Sequence, residues 1–126
     1  DFLENFPYIL KTPAGYVVHA GFDPLMLPEE QHKRDCIYMR CYGGKNYFDN
    51  IGGILWYKLW PKEYPKVFFG HIPDPSGPNL PNVVSLDGGC VFGDYLKAYD
   101  SADGIVYYLN SLKAYSSHDF SKEQVK

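Results

Sequence analysis

Three short apolar runs constrain this chain more than any other feature. Tyr16-Val17-Val18 leads into His19-Ala20-Gly21, Val67-Phe68-Phe69 into Gly70-His71, and Val83-Val84-Ser85-Leu86 into Asp87-Gly88-Gly89. Runs this short, rich in β-branched and aromatic residues, read as buried strands rather than helices. Each one empties into a polar side chain beside glycine. Functional side chains collect where the strands of α/β sheets end, and glycine there permits a sharp turn or the close approach of a ligand to backbone. The pattern therefore predicts a sheet with two imidazoles and one carboxylate gathered at strand ends.

The segments between these runs are less regular. Residues 6–10 read as a short strand and residues 12–15 (Thr-Pro-Ala-Gly) as a turn. Pro28 followed by Glu29 and Glu30 opens a short helix that is expected to continue to about Asp35, since proline suits the first helical position and acids complement the positive end of the helix. Residues 37–41 read as a strand or extended segment, and residues 54–60 as an aromatic helix stopped by Pro61. Residues 72–82 hold four prolines and predict a surface loop, because proline cannot join a sheet ladder. Residues 95–99 and 105–109 predict a β-hairpin, and the polar residues 113–126 a frayed tail. The fold class expected is α+β and β-rich, with short helices flanking the sheet. Neither an internal repeat nor a domain boundary interrupts it.

Composition narrows the function classes. With 126 residues, 45% of them hydrophobic, the chain fits one domain or part of one with a real core. Twelve Tyr and eight Phe suit a sheet, and they also suit a stacking platform for nucleotides. The net charge is −3 and the two arginines are Arg34 and Arg40, so there is no strong electrostatic footprint for nucleic acid. Cys36, Cys41 and Cys90 are odd in number and lack C-x-x-C spacing, which excludes a disulfide framework and a zinc knuckle. A reducing, cytoplasmic setting is the expectation. No apolar run approaches the ~18 residues of a membrane span. The chain opens at Asp1 without an initiator Met or a basic-then-apolar leader, which suggests a processed or excised chain.

The chemistry rests on His19, His71, Arg40 and Asp87. Neutral imidazole is a good ligand for zinc, iron, manganese or nickel. Either His alone reads best as a hydrogen-bonded structural residue; the pair, each in the same strand-to-glycine context, reads as a metal site. Asp87 either orients a His from behind or accepts a hydrogen bond within its own turn. A surface ion pair is the simplest fate of an Arg, but Arg40 lies in an apolar stretch (IYMRCY) between the two His motifs, and its planar fork matches phosphate. Cys90 reads as a small buried hydrophobe, and His32 and His118 as solvent-exposed.

Taken in order, V-V-H-A-G, the Arg-bearing segment, a Trp-containing stretch, V-F-F-G-H-x-P and L-D-G-G-C-V-F-G-x-x-L resemble the C-terminal half of calcineurin-like metallophosphoesterases. The flavour is that of bacterial and phage serine/threonine phosphatases, symmetrical diadenosine tetraphosphatases and the phosphatase module of bacterial polynucleotide kinase-phosphatases. The resemblance spans roughly residues 6–110. It implies one half of a two-sheet sandwich, and hydrolysis of a phosphomonoester or nucleoside polyphosphate by metal-bound hydroxide. It also implies two divalent ions, manganese first and iron, zinc or nickel as alternatives. By motif, His19 and His71 resemble ligands of the second metal, Arg40 the arginine that holds substrate phosphate, and Asp87 the Asp of L-D-T-G-C. Gly88 stands where that motif carries Thr.

The D-x-H, G-D-x-x-D-R and G-N-H-E motifs, which supply the first metal, the bridging Asp and the catalytic His in that family, do not occur in the 126 residues. Since even catalytic zinc usually has three protein ligands, the resemblance implies a chain inactive by itself. Its partners would be a phosphorylated substrate and an N-terminal half, or a partner chain, that supplies the missing ligands. Two other readings stand beside this one. One is a non-catalytic domain of the same fold that binds nucleotide or protein, and the other is a structural interaction module.

Overall fold

The computed structural model describes residues 2–44, 52–75, 77 and 80–117. Its centre is a four-stranded mixed sheet in the order β1 (Ile9–Thr12), β2 (Gly15–Val18), β5 (Val67–Phe69), β6 (Val83–Ser85). Strand β1 pairs antiparallel with β2 across a tight turn that matches Thr12 with Gly15. Strands β2, β5 and β6 run parallel, with Val18, Phe69 and Ser85 in register. Parallel pairing in register has a direct consequence: the three polar groups that follow these strands leave the sheet at the same edge.

Alternation along the strands sends Tyr16, Val18, Val67, Phe69 and Val83 to one face, where they join Phe22, Met39, Trp56, Tyr57 and Trp60 in the core. Side chains of this size stabilise a fold by about 1.5–3 kcal/mol each when fully buried. Trp56 and Phe69 meet edge-on with ring centroids 5.0 Å apart, an arrangement their quadrupoles favour. The opposite face carries one apolar row across all four strands, Leu10, Val17, Phe68 and Val84. Tyr99 covers Phe68, with ring centroids 4.8 Å apart. Leu10 and Val17, in contrast, are 52% and 38% exposed.

Two smaller sheets complete the β structure: β3 (Cys41–Tyr42) with β4 (Ile54–Leu55), and the hairpin β7 (Tyr95–Asp100) with β8 (Ile105–Asn110). The hairpin and the three buried strands lie where their sequence patterns put them. The observed fold is α+β and β-rich, as the strand patterns predicted.

Several segments differ from their sequence reading. Strand β1 begins at Ile9 rather than Phe6. Pro28–Glu30 is a separate 3-10 turn, and helix α1 spans Lys33–Tyr38. Gln31 explains the break. Its side chain accepts from Asp23 N at 2.7 Å and donates to the carbonyls of Asp23 and Met26 at 2.9 and 3.0 Å, and its own backbone is extended. Ile37 and Tyr38 consequently end a helix instead of forming a strand.

Residues 54–60 are not a helix. Ile54–Leu55 pairs with β3, and Trp56–Lys58 forms a 3-10 turn. The pairing of Ile54 and Leu55 with β3 takes the first residues of the segment out of the helical path, and the path it follows buries Trp56, Tyr57 and Trp60 together. The proline-rich loop is not wholly at the surface, because Ile72 and Asn82 are buried; residues 76, 78 and 79 lie outside those described. Residues 113–117 are exposed but anchored, Tyr115 N and Ser116 N both donating to Val91 O. The rest of the expected tail, with His118, lies outside the described residues.

Candidate functional site

The site begins with glycine. Gly70 N donates to His19 O at 2.9 Å, which extends the β2–β5 pairing one step past the strands. Ile72 N then donates to Gly70 O at 2.7 Å, closing a three-residue turn with His71 at its centre and φ at +64°. Left-handed backbone is uncommon for a residue with a Cβ, and such strain is concentrated at functional positions. The turn leaves the imidazoles of His19 and His71 with ring centroids 5.0 Å apart.

Arg40 comes to the same place from the link between α1 and β3. Its Nε–H donates to Nε2 of His71 at 3.3 Å. Burial, the Arg40 charge and His19 together hold His71 down at about 4, against a smaller upward pull from Asp87. At neutral pH His71 is therefore an uncharged imidazole, the form that ligates metals. Asp87 takes the turn role open to it: Oδ1 accepts from Gly89 N at 3.0 Å within its own turn.

Two of the motif glycines, Gly21 and Gly88, are explained by packing. A methyl built on Gly21 would lie 2.4 Å from Nε1 of the Trp56 indole, which itself donates to Ala20 O at 3.2 Å. The last two residues of H-A-G are thus the seat of a buried tryptophan, and that seat fixes the backbone just after His19. A Cβ on Gly88 would lie 2.3 Å from Tyr95 O. The Thr that the resembling motif carries has no room here, because the hairpin docks directly on this glycine.

Among the cysteines, burial pushes Cys36 up to about 11 and raises Cys41 as well, so neither is an activated nucleophile. Cys90 is half-buried at the start of a 3-10 turn rather than fully buried, and His32 is exposed just before α1. Sequence reasoning passed over Lys97. It is buried, with its ammonium donating to Asp74 O. The signal was present in the hairpin alternation, which places Lys97 on the same face as Tyr99 and hence toward the sheet.

Two imidazoles can share one ion. Among the described residues no group of three His, Cys, Asp or Glu is arranged to hold one; His19 and His71 stand as two neighbouring imidazoles. No helix among the described residues is long and apolar enough to cross a membrane.

No protein-family model matches the chain, and no curated protein matches it. Among solved structures, the chain is similar to one described as "a putative diadenosine tetraphosphatase", with a TM-score of 0.74 and 27% sequence identity. The match covers 87% of this chain and 53% of that one. The chain thus spans about half the length of its structural neighbour. The likeness agrees with the α+β architecture.

Proposed function

We propose that this chain forms part of a calcineurin-like, divalent-metal-dependent phosphoesterase that hydrolyses a phosphomonoester or a nucleoside polyphosphate. The observation that carries the reading is the meeting of His19, His71 and Arg40 where the parallel strands end. His19 and His71 would hold one ion, with further ligands supplied from outside the described residues or from a partner chain. A bound divalent ion of this kind supplies Lewis acidity toward phosphoryl oxygen and lowers the pKa of water; manganese is the ion proposed. Arg40 binds substrate phosphate through its fork. Asp87 orients the His71 side of the site, and the segment after His71 rims it. A cytoplasmic location is part of the same reading.

The neighbour described as "a putative diadenosine tetraphosphatase" makes dinucleoside polyphosphates the first substrates to try, ahead of phosphoproteins and phosphorylated nucleic-acid ends. The test is hydrolysis of diadenosine tetraphosphate and of p-nitrophenyl phosphate, with and without manganese, by the protein expressed from its complete gene. Manganese-dependent turnover that is lost in both His19→Ala and His71→Ala supports the reading. Turnover indifferent to metal, or unchanged in both variants, overturns it.

A further inference from the structure

Strand β7 breaks the usual order of inside and outside. Lys97 is 7% exposed, while its neighbour Leu96 is 57% exposed. A lysine is almost never buried to this extent without compensation. The compensation is specific. The Lys97 ammonium donates to the main-chain oxygen of Asp74; burial lowers its pKa, against smaller upward pulls from Asp74 and Asp87. Its alkyl stem passes over Gly88, where a Cβ would come within 3.1 Å of Lys97 Cγ.

The groups it touches belong to the site's surroundings. Asp74 N donates to Asp87 O at 3.0 Å, which joins the segment after His71 to the segment after β6. Asp74 Oδ1 accepts from Gly77 N at 2.8 Å and closes a turn at Gly77, where φ is +68°. Asp87 Oδ1 is committed to Gly89. One ammonium thus holds the turn that follows His71, which is itself bonded to the segment after β6 through Asp87 O, and it reaches that turn from a hairpin outside the central sheet.

We propose that Lys97 is a positioning residue that fastens the Asp74 turn, and through it the segment at Asp87, to the β7–β8 hairpin, and so holds the rim of the His19–His71 site in place. The fastening stands on this geometry alone; its consequence for phosphoester turnover rests on the function proposed above. Lys97→Met keeps the stem over Gly88 and removes the ammonium. Gly77→Ala leaves Lys97 intact but places a methyl 3.3 Å from its Nζ, at a φ that alanine disfavours.

Amide hydrogen exchange on the protein expressed from its complete gene tests the fastening. In both variants the amides of Asp74 and Gly77 should exchange faster, on the order of tenfold, while those of Val18 and Phe69 in the central sheet keep their protection. Unchanged exchange at Asp74 and Gly77, or equal acceleration throughout the sheet, overturns the proposal. If Lys97→Met does not fold, Gly77→Ala decides by the same criterion. In the manganese assay Lys97→Met should raise KM for the phosphoester by about 10-fold to 100-fold, the usual cost of losing a residue that orients a site from behind. A local exchange effect in a protein that shows no metal-dependent turnover would leave the fastening standing and remove the proposed function instead.

Discussion

Arg40 donates its Nε–H to Nε2 of His71 across 3.3 Å, joining the proposed phosphate-binding residue to the proposed metal ligand. The bond requires an unprotonated Nε2 on His71, and the guanidinium charge helps to keep it so.

Arg40→Ala should therefore act on the site and hardly at all on the fold. Arg40 lies outside the buried core cluster, and the hydrogen bond it provides to Trp56 N uses its main-chain oxygen, which alanine retains. The expected change in stability is within about 0.5 kcal/mol. Phosphate or vanadate should bind the protein more weakly by a factor of ten or more, about the worth of one hydrogen bond to a charged group. Isothermal titration with vanadate, beside a urea melt, separates the two effects. A large loss of stability with unaltered vanadate affinity would make Arg40 a structural partner of His71. Arg40→Lys should not restore binding, since a single ammonium lacks the planar fork.

His71 makes stability depend on pH in a definite direction. Its folded pKa, about 4, lies below the ordinary histidine value of 6.5, with burial as the largest cause. Between these values the unfolded chain binds the proton that the folded chain refuses, so folding weakens as pH falls from about 6.5 toward 4 and levels off below that. The His71 contribution is complete above pH 6.5. His71→Asn, which does not titrate, should flatten this limb of a pH series of urea midpoints. An acid limb equally steep in the variant would assign it to the carboxylates instead.

How much of this was legible beforehand divides by the range of the interactions. The buried strands around Val17, Phe68 and Val84 and the hairpin from Tyr95 to Asn110 were readable, because period and residue type are local. The meeting of His19 and His71 was readable as a shared context, though not from either residue alone. The parallel pairing that brings them together could not be read from neighbouring residues. Gln31 breaks a helix by reaching back to Asp23 and Met26, and Trp56 leaves the helical path to sit on Gly21. Both are tertiary decisions that override local propensity. Lys97 was legible in principle, but a lone lysine in a hairpin invites the solvent-facing reading.

Gly21 and Gly88 give a prediction in which packing and site are coupled. At Gly21 an added methyl meets the Trp56 indole at 2.4 Å, and at Gly88 it meets the Tyr95 carbonyl at 2.3 Å. Neither obstacle is the free end of a flexible side chain, so alanine should cost about 1–3 kcal/mol at each position. The consequences differ in place. Gly21→Ala should disturb Trp56, seen as a shift in its fluorescence, and with it the backbone after His19. Gly88→Ala should undock the hairpin where Gly89 bridges Tyr95 and leave Trp56 fluorescence unchanged. Equal fluorescence changes in the two variants would mean that the hairpin and the tryptophan seat are one cooperative unit.

The apolar row across the sheet bears on the 126-residue chain taken by itself. Phe68 is covered by Tyr99, but Leu10 and Val17 remain 52% and 38% exposed on the same face. Neighbouring apolar side chains left exposed on one face of a sheet favour association. The chain produced alone should self-associate at micromolar concentration, and Leu10→Lys combined with Val17→Thr should return it to monomer in sedimentation velocity without lowering its melting temperature. The same isolated chain should not hydrolyse p-nitrophenyl phosphate in excess manganese, because two imidazoles leave an ion short of the three protein ligands usual even at a catalytic site. Adding the segment or partner that carries the remaining ligands should produce turnover and suppress self-association together, if it covers the Leu10–Val17 face as well as completing the site. Turnover by the isolated chain that His19→Ala abolishes would show that the ligand set is already complete within these residues. Turnover gained on addition while self-association persists would separate the apolar face from the metal site.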